Sequence, residues 1–208
     1  MRDLSIRGAG NLLGAQQHGF IDSVGFDMYS QMLKEAIEKR KAGKEITEIA
    51  PFEPELTLNL DAYIPDEYIK DEKQKIEIYK QFRSIDTEED IEELKEELID
   101  RFGDYPKEVD NLITVSSLKM YAKRERVESI MEKGKRIVML LTEERSQEID
   151  GSKVFEIANE FGREIQLGTE NTKLKVIYTW SNETKHRRYE MVQEFIKKLS
   201  EANRVPVS

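Results

Sequence analysis

Apolar residues recur along this chain with helical and strand periods in turn, and the changes of period divide it. Phe26, Tyr29, Leu33 and Ile37 fall at i, i+3, i+7 and i+11, which predicts an amphipathic helix over 25–42. Lys39, Arg40 and Lys41 suit the negative end of its dipole, and Gly43 supplies a stop. Residues 44–53 lose the pattern and close on Pro51 and Pro54, so a linker is expected there, with a domain boundary near residue 50. Residues 55–60 alternate, placing Leu56, Leu58 and Leu60 on one face of a strand that Pro65 breaks. Three helices are then predicted. The first, over 71–84, carries Ile76, Tyr79 and Phe82 on one side. The second opens on Asp86 or Thr87, has Glu88, Glu89 and Asp90 in its first turn, buries Ile91, Leu94 and Leu98, and stops at Gly103. The third starts at Pro106, whose missing N–H is no loss at a helix start, and runs through Val109, Leu112, Ile113 and Tyr121.

Past residue 126 the period shortens. Residues 127–131 and 136–141 flank Glu-Lys-Gly-Lys, a hairpin signal. Val154, Ile157, Ala158 and Phe161 predict a helix over 151–161 that stops at Gly162. Residues 165–167 and 174–180 read as two strands, and Tyr189, Val192, Phe195, Ile196 and Leu199 mark a closing helix over 183–202. The fold class expected is α+β: an N-terminal glycine-rich loop and helix, then a helical subregion packed beside a small mixed ββαββα unit. Residues 1–49 and 50–208 form the two expected domains.

Charge changes this picture by dividing possible partners. The chain carries −9, yet residues 1–45 hold seven basic and six acidic residues, a net +1, and the rest holds −10. A segment at −10 is repelled by a phosphate backbone unless a local basic patch overrides the field, so the acidic part is expected to meet protein. The longest apolar run, residues 137–141, is far short of the roughly 18 residues of a membrane span. The first residues lack the pattern of a signal peptide. With no cysteine there is neither disulfide nor thiolate metal site, and a cytoplasmic location is expected.

Candidate chemistry is sparse. His18 and His186 are far apart in the sequence and have no ligand-spaced neighbours, so no metal site is expected. Residues 88–97 are rich in carboxylates, with Lys95 among them, and read as a solvated helix face; a catalytic pair needs one buried member. Lys123, Arg124, Glu125 and Arg126, and Lys185, His186, Arg187 and Arg188, form two basic knots that read either as helix-end charges or as phosphate contacts. Trp180 ends a strand, either as a cap on the core or as an exposed anchor for a protein partner. No histidine stands near a serine in a way that supports a hydrolase triad.

Residues 7–20 read Arg-Gly-Ala-Gly-Asn-Leu-Leu-Gly-Ala-Gln-Gln-His-Gly-Phe. The spacing Gly8-x-Gly10-x-x-x-Gly14 is one residue too long for a dinucleotide fingerprint, and no Gly-Lys-Ser/Thr follows as in a Walker loop. Composition alone would let Arg7 pair with Asp3 or cap carbonyls. The stretch resembles instead the R-G-x-G-x-x-x-G-x-x-Q-x-G signature of RecG-type DNA translocases. With the continuation Val24-Gly25-Phe26-Asp27-Met28-Tyr29 it is similar to the bacterial transcription-repair coupling factor (Mfd) family. His18 stands where that pattern carries a serine. Glu55-Leu-Thr-Leu-Asn-Leu60, Ile64-Pro-Asp-Glu-Tyr-Ile69, Tyr79-Lys-Gln-Phe-Arg83 and Glu97-Leu-Ile-Asp-Arg-Phe-Gly103 with Pro106 extend the likeness to the family's C-terminal domain.

The resemblance implies a chain with no catalytic residues or cofactor of its own, the parent motor holding ATP and Mg. It implies that Arg7, Gly8, Gly10, Gly14, Gln17 and Gly19 couple motor movement to duplex DNA as bracing residues. It also implies a regulatory domain that packs on the UvrB-like module of the same protein. There it would mask the docking surface for UvrA until RNA polymerase is engaged. A module that binds DNA directly and contributes to translocation is the alternative.

Overall fold

The computed structural model describes residues 52–204; the helix expected over 25–42 and the boundary expected near residue 50 lie outside them. The described part forms two compact units, Leu60–Ile113 on one hand, and Pro54–Asn59 with residues 114–204 on the other.

The first unit is helical. Helix α1 (Glu72–Arg83) starts where the Asp71 carboxylate accepts the Lys73 N–H at 3.0 Å. Helix α2 (Glu88–Phe102) starts with a capping box: Thr87 Oγ1 accepts the Asp90 N–H at 3.1 Å, and the Asp90 carboxylate accepts the Thr87 N–H at 3.0 Å. Asp90 also accepts the Asp86 N–H at 2.9 Å. These backbone donors, Asp86 first, hold the Asp90 carboxyl below its ordinary range. Gly103 ends α2 at φ 84°, a conformation open to glycine, with its N–H on the Ile99 carbonyl at 2.9 Å. Helix α3 (Lys107–Glu125) follows Pro106 as expected; its residues up to Ile113 belong to this unit.

Ile78, Tyr79, Phe82, Ile91, Leu94, Leu98, Val109 and Leu112 form the core with Ile64 and Ile69 of the preceding segment. Each such side chain contributes about 1.5–3 kcal/mol on burial. The expected stripe of α1 holds at Tyr79 and Phe82, but Lys75 and Ile78 are buried with them while Ile76 is only half-buried. Lys75 lays its aliphatic stem inward and carries its ammonium to Asp66. Two tyrosines tie the irregular entry segment down. Tyr79 accepts the Ile64 N–H at 2.7 Å, and the Tyr68 hydroxyl is shared between the carbonyls of Gly103 at 2.7 Å and Leu98 at 3.1 Å. Burial, followed by the neighbouring Tyr105 and Asp104, pushes the Tyr68 hydroxyl up to about 12.

The second unit is a five-stranded sheet ordered β1-β2-β3-β5-β4. Strand β1 (Glu55–Thr57) pairs in parallel with β2 (Val127–Lys133); all other pairs are antiparallel. The β2–β3 hairpin, with β3 at Arg136–Leu141, turns through Gly134 at φ 61°, the sign a two-residue turn of type II′ requires at its first position. Strand β4 (Ile165–Glu170) and strand β5 (Lys173–Thr179) form the second hairpin. Leu56, Ile130, Ile137, Met139, Val176 and Tyr178 are buried with Val154 and Ile157 of helix α5 (Gly151–Glu160) and Val192, Phe195 and Ile196 of helix α6 (Arg188–Lys198). The rings of Phe161 and Phe195 meet edge to face at 5.7 Å.

Three details depart from the expectation. The order is ββααββα, because helix α4 (Glu143–Glu148) precedes α5. It has only six residues and no apolar stripe; its buried member is Arg145. Strand β1 ends at Thr57, because the next N–H needed for the ladder, that of Asn59, goes to a side chain instead, the Glu132 carboxylate at 2.8 Å. Residues 181–184 form a turn rather than helix: the Ser181 N–H meets Thr184 Oγ1 at 2.9 Å and the Thr184 N–H meets the Ser181 carbonyl at 3.1 Å. The closing helix is therefore α6, flanked by 3₁₀ turns at Lys185–Arg187 and Leu199–Ala202.

Thr87→Ala removes one half of the capping box and is expected to lower unfolding stability by about 1 kcal/mol, read as a lower urea midpoint, with Thr87→Ser restoring most of it.

Candidate interaction surface

Glu132 organises one end of the sheet. Its side chain is 1% exposed, at an inward position of β2 where the alternation calls for an apolar residue. One oxygen accepts the Arg188 Nε–H at 2.8 Å; the other accepts the Asn59 N–H at 2.8 Å and the Tyr189 hydroxyl. Arg188 further donates to the Lys185 carbonyl at 2.8 Å and to the Tyr189 hydroxyl oxygen at 2.9 Å. Its guanidinium lies 4.3 Å from the Tyr189 ring centroid and 5.5 Å from that of Trp180. Burial, followed by the hydrogen bond to Glu132 and its charge, raises the Tyr189 hydroxyl well above 10.0.

Trp180 caps this cluster. It is 9% exposed, its N–H donates to the Lys135 carbonyl at 2.9 Å, and Lys135 and Lys185 place their ammonium groups 5.9 and 5.8 Å from the ring. The buried indole nitrogen has no partner among the described residues. Of the two roles open to it, Trp180 takes the core cap. The basic knot at 185–188 is divided: Arg188 is structural, Arg187 pairs with Glu190 at 3.3 Å, and Lys185 and His186 are exposed.

The other knot closes α3. Lys123 and Arg124 lie in its last turn, where cations suit the dipole, and Arg124 stacks on Tyr121 at 5.0 Å. Glu125 is buried and pairs with Arg145 at 2.9 Å. Arg145 also donates to the Glu125 carbonyl at 3.2 Å, the Leu199 carbonyl at 2.9 Å and Asn203 Oδ1 at 2.6 Å, which satisfies its fork. A shallow cavity of about 470 Å³ opens beside it, with Arg124, Arg126 and Arg204 on its walls. Neither Glu132 nor Arg145 stood out in the sequence. The available signal for Glu132 was a carboxylate on the inward face of an alternating strand, and for Arg145 the Thr142 cap, whose Oγ1 accepts the Arg145 N–H at 3.1 Å.

Glu88, Glu89, Glu92, Glu93 and Glu96 are exposed on α2, with Glu92 on Lys95 at 3.1 Å and Glu97 on Arg101 at 3.2 Å. This is the solvated face expected, and the lowered Asp90 is the opposite of what a general acid needs. Net charge separates by unit. Residues 60–113 hold eight basic and eighteen acidic side chains, a net −10; residues 54–59 and 114–204 hold eighteen and sixteen, a net +2. Arg7, Gly8, Gly10, Gly14, Gln17, Gly19 and His18 lie outside the described residues. Among the described residues no group of three or more His, Asp or Glu is placed to hold a metal, and no helix is long and apolar enough to cross a membrane.

Residues 58–152 match the family model of the TRCF domain. Over all 208 residues the chain is 53% identical to the transcription-repair-coupling factor of Bacillus subtilis strain 168, of which it covers 18%. Over 183 residues, 88% of the chain, it is 49% identical to the corresponding protein of Staphylococcus epidermidis, of which it covers 16%. A crystal structure of the C-terminal domain of transcription-repair coupling factor aligns with a TM-score of 0.67 at 31% identity, over 72% of this chain and 92% of that one. A helical unit and a mixed-sheet unit on one chain thus define an α+β domain of the coupling-factor class, matching the C-terminal domain of those proteins. The chain belongs to the transcription-repair coupling factor family. It spans less than a fifth of the length of the curated relatives it matches.

Glu132→Ala strips the carboxylate from Arg188, Asn59 and Tyr189 and is expected to cost about 3 kcal/mol or more in chemical unfolding. A tyrosine whose folded pKa is raised contributes stability that is complete below its unfolded value and is lost as pH rises through the folded one. For Tyr189 and Tyr68 this window opens at 10.0, and Tyr68 closes its own at about 12. Ultraviolet titration is expected to find both ionising above the ordinary tyrosine value of 10.0, with the late step reduced in Tyr68→Phe.

Proposed function

We propose that this chain is the C-terminal regulatory, autoinhibitory domain of an ATP-dependent DNA translocase of the cytoplasm. The parent would displace stalled RNA polymerase at DNA lesions and recruit nucleotide excision repair. Residues 50–208 would rest on the UvrB-like module of the same protein and mask its docking surface for UvrA. Residues 1–49 would be the tail of the translocation motif, with Arg7, Gly8, Gly10, Gly14, Gln17 and Gly19 coupling motor movement to duplex DNA. ATP and Mg belong to the parent motor.

The observation that carries this reading is the alignment of 92% of a coupling-factor C-terminal domain with this chain. The charge distribution supports the lid. A helical unit at −10, with a solvated carboxylate face on α2, is suited to a detachable, salt-sensitive contact with a basic surface. Such a lid needs only differential contact: moving it from 1:99 to 99:1 takes about 5.5 kcal/mol.

Calorimetric titration of the chain against the separately expressed UvrB-like module of its parent tests the lid, with UvrA as competitor. Binding that UvrA displaces is the expected result. With both pieces folded, absence of heat at high micromolar concentration rules out the masking role and leaves the family membership intact.

A further inference from the structure

The sheet unit brings two stretches of basic sequence, some fifty residues apart, to one end of the sheet. The β2–β3 turn carries Lys133, Lys135 and Arg136; the segment after β5 carries Lys185, His186, Arg187 and Arg188. They are joined by the Trp180 N–H on the Lys135 carbonyl at 2.9 Å, the Arg136–Thr179 pairing, and Lys135 Nζ near Asn182 Oδ1 at 3.4 Å. Arg187 and Arg188 are committed to Glu190 and Glu132. Lys133, Lys135, Arg136 and Lys185 are exposed and have no carboxylate partner among the described residues, in a chain where carboxylates outnumber cations 42 to 33. Lys135, Lys185 and Arg188 each place their cationic group within 5.9 Å of the Trp180 ring centroid, so the ring gathers positive charge at this end of the sheet.

From this we infer that the Lys133–Lys135–Arg136–Lys185 end of the sheet is a contact site for the phosphate backbone of duplex nucleic acid. Two features select that ligand. Trp180 is the large apolar group at the centre of the patch, and with 9% exposure it offers a bare face neither to a stacked base nor to an apolar peptide anchor. What the patch presents is point charge, which a dense row of phosphates rewards through counterion release and a few scattered carboxylates do not. The net −10 belongs to residues 60–113, whereas the sheet unit that carries the patch is +2. The inference goes beyond the proposed lid and does not depend on it.

The test is fluorescence anisotropy of the 208-residue chain on a labelled duplex of about two helical turns, across salt from about 50 to 200 mM. Lys133→Gln, Lys135→Gln, Arg136→Gln and Lys185→Gln are combined in one variant. The comparison variant makes the same charge change at exposed Lys70, Lys73, Lys107 and Arg163, each to Gln. The expected result is at least tenfold weaker binding of the patch variant at low salt, with a log–log salt slope shallower by about 3 to 4, and little change in the comparison variant. Circular dichroism checks that both variants are folded. The inference is overturned by undetectable binding of the parent chain at low salt, by an equal loss in both variants, or by an unchanged patch variant. Tighter binding to single strands, or equal displacement by poly-glutamate, also overturns it, the latter in favour of an acidic protein partner.

Discussion

The sheet unit depends on one buried carboxylate. Glu132 sits at an inward strand position, where three donors from two separate places in the chain converge on its carboxylate: the Asn59 N–H, and the Arg188 guanidinium with the Tyr189 hydroxyl beside it. That convergence ends strand β1, anchors the start of α6 and holds Arg188 where it shields Trp180. A second buried charge repeats the device. Arg145, on a helix too short to persist alone, ties α4 to the end of α3 and to the turn after α6 through Glu125, Leu199 and Asn203. Polar clasps of this kind add little net stability over an apolar core, yet they exclude alternatives, since any other docking of these segments leaves a buried charge unpaired.

The same economy of charge shapes the surface. The helical unit spends its few cations on local pairs such as Lys95–Glu92 and Arg101–Glu97 and leaves a field of exposed carboxylates. The sheet unit ties up two of its arginines inside and leaves lysines exposed at one end. Residues 60–113 thus carry −10 and the sheet unit +2, a division that the net charge of −9 conceals.

Much of this was legible locally. The inner residues of α2, Ile91, Leu94 and Leu98, follow from a 3.6 period, and its start and stop follow from Thr87, Asp90 and Gly103. The hairpin at Gly134 follows from turn chemistry. Where reading failed, a distant partner had intervened. On α1 the buried position beside Ile78 is held by Lys75, whose ammonium reaches Asp66, and Ile76 is half-buried. Strand β1 stopped early because Glu132 took its next N–H. Helix α4 carries no apolar period because the residue it buries is an arginine. Of the candidate sites, the basic knots and Trp180 were visible as residues, but not which cations would be consumed internally.

The sequence by itself determined most of the elements and the family, because periods, caps, turns and motifs are encoded within a few residues of one another. Only the tertiary structure decided the parallel pairing of β1 with β2 and the two convergences on Glu132 and Arg145. Those depend on contacts between residues separated by fifty or more positions, such as Arg188 with Glu132 and Asn203 with Arg145. A local pattern can mark one member, as the inward strand position marks Glu132, but it does not name the distant partner.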